Sequence, residues 1–216
     1  MIAEVRLWGR TIGAVSMPQT DSFASFEYDS DFAQSGIEVS PLVRPLSRRI
    51  YQYTDLPLRT FHGLPGLLAD SLPDKFGNAL INAWLASQGR TPEAFNAVER
   101  LCYIGSRGMG ALEFAPATGP AQPVANRLHI DALVSLASEM LASRKKFQAS
   151  LTNSETAKAV RDIYLVGTSA AGARAKAVIA WNPKTGEIRS GQVATDEGFE
   201  YWLLKFDGVS GNRDKD

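Results

Sequence analysis

Apolar residues alternate in short runs near both ends of this 216-residue chain and recur at helical spacing only in its middle. A period of two puts every second side chain on one face of a strand, whereas recurrence at three and four residues builds one face of a helix. A chain that changes period in this way is neither all-α nor all-β, and the expected fold class is α+β. Residues 2–8 and 11–17 read as two strands turning at Gly9-Arg10. In 22–28 the alternation of Ala24, Phe26 and Tyr28 predicts a third strand. Pro41, Pro45, Pro57 and Pro65 then break up 41–66, leaving loop with one short extended piece near 49–53.

The helical middle starts at Pro73, which costs little in a first turn, and carries Phe76, Leu80, Ala83 and Trp84 on one face up to Gly89. Thr91-Pro92-Glu93 offers a capping side chain, a first-turn proline and an early acid, so a second helix is expected to start there. Phe95, Val98, Leu101 and Cys102 form its stripe until Gly105. Residues 111–114 read as a strand and about 129–147 as a third helix, with Ile130, Leu133, Val134, Ala137, Met140 and Leu141 on one side. The segments 160–166, 174–181 and 199–206 are β-like, and the chain turns at 182–186. Residues 116–126 are rich in Pro, Ala and Gly. The expected organisation is a β-rich subdomain with helices over 1–117, a linker over 118–127, and a second domain over 128–216.

Composition removes several function classes. Lysine plus arginine equals aspartate plus glutamate at 23 each, so no global charge draws the chain to nucleic acid or an acidic membrane. Direct nucleic-acid binding is not expected. Cys102 is the only cysteine, which excludes an internal disulfide; with His62 and His129 alone beside it, a zinc cluster has too few soft ligands. No apolar run approaches the roughly 20 residues of a membrane span, and the N-terminus has no signal-peptide pattern. A cytoplasmic protein is expected.

The stretch with most chemical content is GTSAAGARAK, residues 167–176, between two predicted strands. Gly167 and Gly172 permit close backbone approach. The small residues between them, Thr168, Ser169, Ala170 and Ala171, leave successive backbone N–H groups free to face an anion, and Lys176 stands just beyond. The stretch is not a P-loop, because Ala173 stands where the lysine of GxxxxGK[ST] belongs. Nor does it match the glycine loop of ordinary protein kinases. From pattern alone a phosphate loop and a plain glycine-bearing hairpin both remain open. Downstream, WLLKF (202–206) sets Lys205 in an apolar strand. That lysine is either a snorkelling surface residue or a phosphate-holding lysine of the kind kinases keep on a small-lobe strand.

GLPGLLADSLPDKFGNALI (63–81), RLCYIGSRGMGALEF (100–114) and GTSAAGARAKAVIAW (167–181) together resemble the HipA family of bacterial toxin serine/threonine kinases, from about residue 3 to about residue 208. The resemblance implies that a truncated kinase-like small lobe, antiparallel strands plus one helix, follows the N-terminal subdomain. It implies that 167–176 is the ATP phosphate loop, Lys205 the nucleotide lysine, and Ser169 a position open to autophosphorylation. ATP and Mg²⁺ are the implied cofactors, the Mg²⁺ only with a large lobe. The implied partners are a DNA-binding antitoxin or a separate kinase subunit, and the implied substrate lies in the translation apparatus. A kinase also needs a catalytic aspartate, a metal-binding asparagine and a second metal aspartate. None is expected among these residues, so the chain alone is expected to be inactive. A non-catalytic module that binds an antitoxin or kinase subunit is the alternative.

Other features have plainer readings. GSRGMG (105–110) stops a helix and turns, Asp74 caps a helix start, and His62 is structural. The basic residues from Arg144 to Lys146, with Lys158 and Arg161, form a solvated face. Trp8, Trp84, Trp181 and Trp202 are expected in the core.

Overall fold

The computed structural model describes residues 1–120, 128, 131, 133–135, 176–192 and 195–206. Strands and helices are mixed in an α+β arrangement with two antiparallel sheets. Two compact units are present: Met1–Leu72 with Glu93–Gly119, and Pro73–Pro92 with Pro120–Asp216. Residues 73–92, which the sequence groups with the N-terminal part, cluster with the second unit.

In the first unit β1 (Ile2–Leu7), β2 (Arg10–Ser16), β3 (Ser25–Tyr28) and β4 (Leu112–Ala115) form a sheet of order β3-β2-β1-β4. The β1–β2 turn falls on Trp8 and Gly9, with φ of 51° and 76°, one residue before the expected Gly9-Arg10. Positive φ at both central positions is the twist-matched hairpin turn. Trp8 is 82% exposed there, against the expectation that all four tryptophans are core. The alternating residues Ala24, Phe26 and Tyr28 are all buried, and Tyr51 bridges to Phe26 where the extended piece near 49–53 is expected.

Two short helices follow, α1 (Leu58–Phe61) and α2 (Gly66–Ala69). Between them the chain passes Ser22 so closely that a Cβ on Gly63 would lie 2.0 Å from its carbonyl oxygen, and Gly63 has φ of 77°. Only glycine fits both demands.

Helix α4 (Ala97–Ile104) packs against β1 and β4. Val98, Leu101 and Cys102 are fully buried and join Val5, Val15, Phe26, Leu64 and Leu68 in one core. Each fully buried side chain of this size contributes about 1.5–3 kcal/mol. Gly105 ends the helix with φ of 60°.

The second unit holds α3 (Lys75–Ser87) and a sheet of order β6-β5-β7, from β5 (Lys176–Trp181), β6 (Ile188–Ser190) and β7 (Glu200–Lys205). Phe76, Leu80, Ile81 and Leu85 are the buried stripe of α3, and Gly89 follows it at φ 70°. Asn182 shapes the β5–β6 turn, its Oδ1 accepting from the backbone N–H groups of Lys184 and Thr185. The segment 160–166 and all but a few residues of 129–147 lie outside the described residues.

Candidate functional site

The site is built around the first residue of β5. Lys176 opens the largely buried strand KAVIAW and is itself only 5% exposed. A buried ammonium demands a partner, because transfer out of water without one costs several kcal/mol. Asp74 supplies it: its Oδ2 lies 3.6 Å from Lys176 Nζ, and both side chains are 6% exposed.

Asp74 is itself held by the start of α3. It is the N-cap, with extended backbone at ψ −173°, and Oδ1 accepts from Gly77 N at 2.9 Å. Asn78 donates through Nδ2 to the carbonyl oxygens of Pro73 and Asp74 at 2.7 and 3.1 Å. A Cβ on Gly77 would come within 2.9 Å of Pro73 Cβ, so glycine keeps the turn tight. The sequence gives Asp74 its capping role. It does not give the lysine, because nothing local links two residues so far apart along the chain.

Lys176 pairs in register with Lys205 across β5 and β7. Directly opposed residues share a face, so the two lysines singled out by sequence stand side by side. Their surroundings differ: Lys205 is exposed and has no ion pair among the described residues. Gly167, Thr168, Ser169, Ala170, Ala171 and Gly172 lie outside the described residues.

On this sheet Ile179, Trp181, Ile188, Trp202, Leu203 and Leu204 line an apolar hollow of about 410 Å³. Trp181 and Trp202 meet edge to face, with centroids 6.3 Å apart. Tyr201, Trp202 and Leu203 are 56%, 52% and 40% exposed, so Trp202, like Trp8, departs from the core role expected of it. Among the described residues no group of three or more His, Cys, Asp or Glu could hold a metal ion. Lys205 is an exposed cation on this sheet, and the described residues offer Mg²⁺ no ligand set. Among them no helix is long and apolar enough to cross a membrane.

The first unit carries a different feature. Arg44 is 1% exposed, with its guanidinium 4.1 Å over the Phe26 ring and 5.6 Å over Tyr28. The hydroxyls of Tyr53, Tyr28 and Tyr51 donate to the consecutive carbonyl oxygens of Val43, Arg44 and Pro45. The strap so held turns Arg44 inward and leaves Leu42 and Val43 95% and 64% exposed. His62 is exposed at the end of α1 with φ of 52°. Arg107 of GSRGMG folds back to donate to the carbonyl oxygens of Tyr103 and Ile104, which makes it part of the helix stop.

Residues 3–115 match the family model described as the HipA N-terminal domain. No curated protein matches the sequence. Among solved structures the chain is similar to one from the Shewanella oneidensis MR-1 toxin–antitoxin system, a complex of HipA, HipB and operator DNA. The two are 20% identical with a TM-score of 0.48, over 87% of this chain and 37% of that one. The chain thus spans 37% of the length of that protein.

Proposed function

Because the chain belongs to the family of the HipA N-terminal domain, we propose that it is the N-terminal part of a HipA-like toxin serine/threonine kinase and carries the phosphate grip of its ATP site. The observation that supports this most is the pairing of Lys176 with Lys205 on one sheet face, following a stretch of small residues suited to an anion. In this reading the backbone of Gly167 to Gly172 and the Lys205 ammonium hold the nucleotide's phosphates. Mg²⁺ and its ligands come with a large lobe, as do the catalytic aspartate and asparagine. Phosphate on Ser169 adds about −1.5 to −2 charges inside the loop, competes for the same donors, and switches nucleotide binding off. The completed enzyme works in the cytoplasm on a protein of the translation apparatus, held in check by a DNA-binding antitoxin.

With the phosphate contacts here and the metal ligands in the large lobe, the chain binds Mg²⁺-ATP more weakly than about millimolar, since each 1.4 kcal/mol forgone costs tenfold. Calorimetry on the chain tests this. Weak heat that disappears in Lys205→Ala supports the reading. Micromolar affinity, or binding indifferent to Lys205→Ala, contradicts it.

A second reading has its own support in the Arg44 strap. Rigidly held, exposed apolar side chains such as Leu42 and Val43 are what a partner surface needs. In this reading the first unit is a non-catalytic module that binds an antitoxin or a separate kinase subunit. Leu42→Asp weakens such a complex and leaves ATP binding unchanged.

A further inference from the structure

Lys176 and Lys205 face each other across two strands, and like charges so placed disfavour the pairing unless an anion lies between or beside them. Asp74 is that anion, but it serves only one of the two. Its Oδ2 reaches Lys176 at 3.6 Å in surroundings where both side chains are 6% exposed, while Lys205 remains exposed. Asp74 is fixed on its other side, with Oδ1 committed to Gly77 N. The carboxylate therefore joins the first turn of α3 to the first residue of β5, which is also the last residue of the GTSAAGARAK stretch.

We propose that Asp74 is a positioning residue: it holds Lys176 as the anchor of β5, and so leaves Lys205 as the cation of this face that meets phosphate. The inference rests on the phosphate reading above and adds to it a division of labour between two lysines that sequence alone treats alike. It also ties the nucleotide site to α3, a helix that the sequence assigns to the N-terminal part.

The test uses the full chain, ¹⁵N-labelled, titrated with Mg²⁺-ATP and separately with inorganic triphosphate while the signals of β5 and β7 are followed. Four proteins are compared: wild type, Lys205→Ala, Asp74→Asn, and the neutral pair Asp74→Asn/Lys176→Met. Asparagine keeps the N-cap acceptor, and methionine keeps the lysine stem's bulk. Thermal unfolding is recorded for all four. Lys205→Ala should weaken triphosphate binding by about tenfold or more. The neutral pair should stay within about threefold of wild type. Asp74→Asn alone takes the paired carboxylate from a buried ammonium and should lower Tm, and the neutral pair should regain most of that loss, a coupling that two independent sites would not show. The proposal is overturned if the neutral pair loses binding as fully as Lys205→Ala, because Lys176's charge would then touch the phosphate. It is equally overturned if Asp74→Asn leaves Tm unchanged. Absence of binding in every protein, wild type included, overturns the phosphate reading and the division of labour with it, while the melts still decide whether Asp74 anchors β5.

Discussion

At the tip of the first hairpin Trp8 holds φ at 51° and leaves 82% of its surface exposed. A bulky aromatic residue pays for positive φ that Asn or Gly adopts readily, and the exposed indole returns little packing. Trp8→Asn creates the favoured Asn-Gly turn sequence and should stabilise the chain by about 0.5–1 kcal/mol. Urea unfolding with an unchanged slope and a higher midpoint is the expected result; a lower midpoint would mean that the indole packs after all. Turn placement was not legible in the sequence for the same reason, since tryptophan reads as a strand residue and shifts the apparent turn toward Arg10. Cys102 gives a second residue-scale expectation. Burial first, and the Glu99 charge second, push its thiol from 9.0 to about 11. The unfolded chain therefore loses this proton at lower pH than the folded one. The thiol's contribution is fully present below about pH 9 and is lost as pH rises toward 11, amounting to about 2–3 kcal/mol. Denaturation at about pH 8 and about pH 11 should show a larger loss for wild type than for Cys102→Ala. Equal losses would assign the effect to other groups.

Helix α4 starts at a reciprocal cap. Asn96 Oδ1 accepts from Glu99 N at 3.0 Å, and Glu99 Oε2 accepts from Asn96 N at 2.8 Å. Asn96 Nδ2 also donates to Met17 O, and Gln19 Nε2 donates to Glu99, so the cap ties the helix to the segment after β2. Asn96→Ala should cost about 1–2 kcal/mol, read as a lower urea midpoint, with Asn96→Ser in between because serine caps but cannot reach Met17. A loss equal for both variants would place the stabilisation in the Met17 contact. The Asn-x-x-Glu signature is present in the sequence, yet Thr91-Pro92-Glu93 carries start signals of the same kind and forms only the 3₁₀ turn Pro92–Ala94. Local chemistry marks where a helix can begin; the packing of Val98 and Leu101 decides which mark is used. Strand β6 was illegible for another reason: Ile188–Ser190 is three residues, too few to display a period of two. The α3 stripe was legible because Phe76, Leu80, Ala83 and Trp84 repeat long enough to fix a helical period, and β5 and β7 were legible from the branched and aromatic residues of KAVIAW and YWLLK.

For the whole molecule, periodicity tells which face of an element is buried and not which neighbour buries it. The stripe of α3 announces its buried face, yet its place in the second unit comes from pairings such as Asp74 with Lys176, which join residues far apart in sequence. The same limit governs function. The two lysines were legible as candidates, and their register pairing was not. On the reading proposed above, this arrangement presents the Lys205 ammonium to phosphate, while a residue to take the proton from an attacking hydroxyl and a metal ligand set belong to the large lobe; among the described residues no group of acids could hold a metal ion. In-line phosphoryl transfer needs both, since positioning and charge stabilisation supply nearly all of its catalysis. The purified chain should therefore transfer no radiolabel from ATP to itself or to a generic serine/threonine substrate. Lys205→Ala is the control that gives the measurement its meaning. A contaminating kinase is indifferent to that substitution, so label that persists in the variant comes from elsewhere. Label that appears with wild type and vanishes with Lys205→Ala would show that these 216 residues hold a complete site, and the reading of them as the phosphate-gripping part alone would fall.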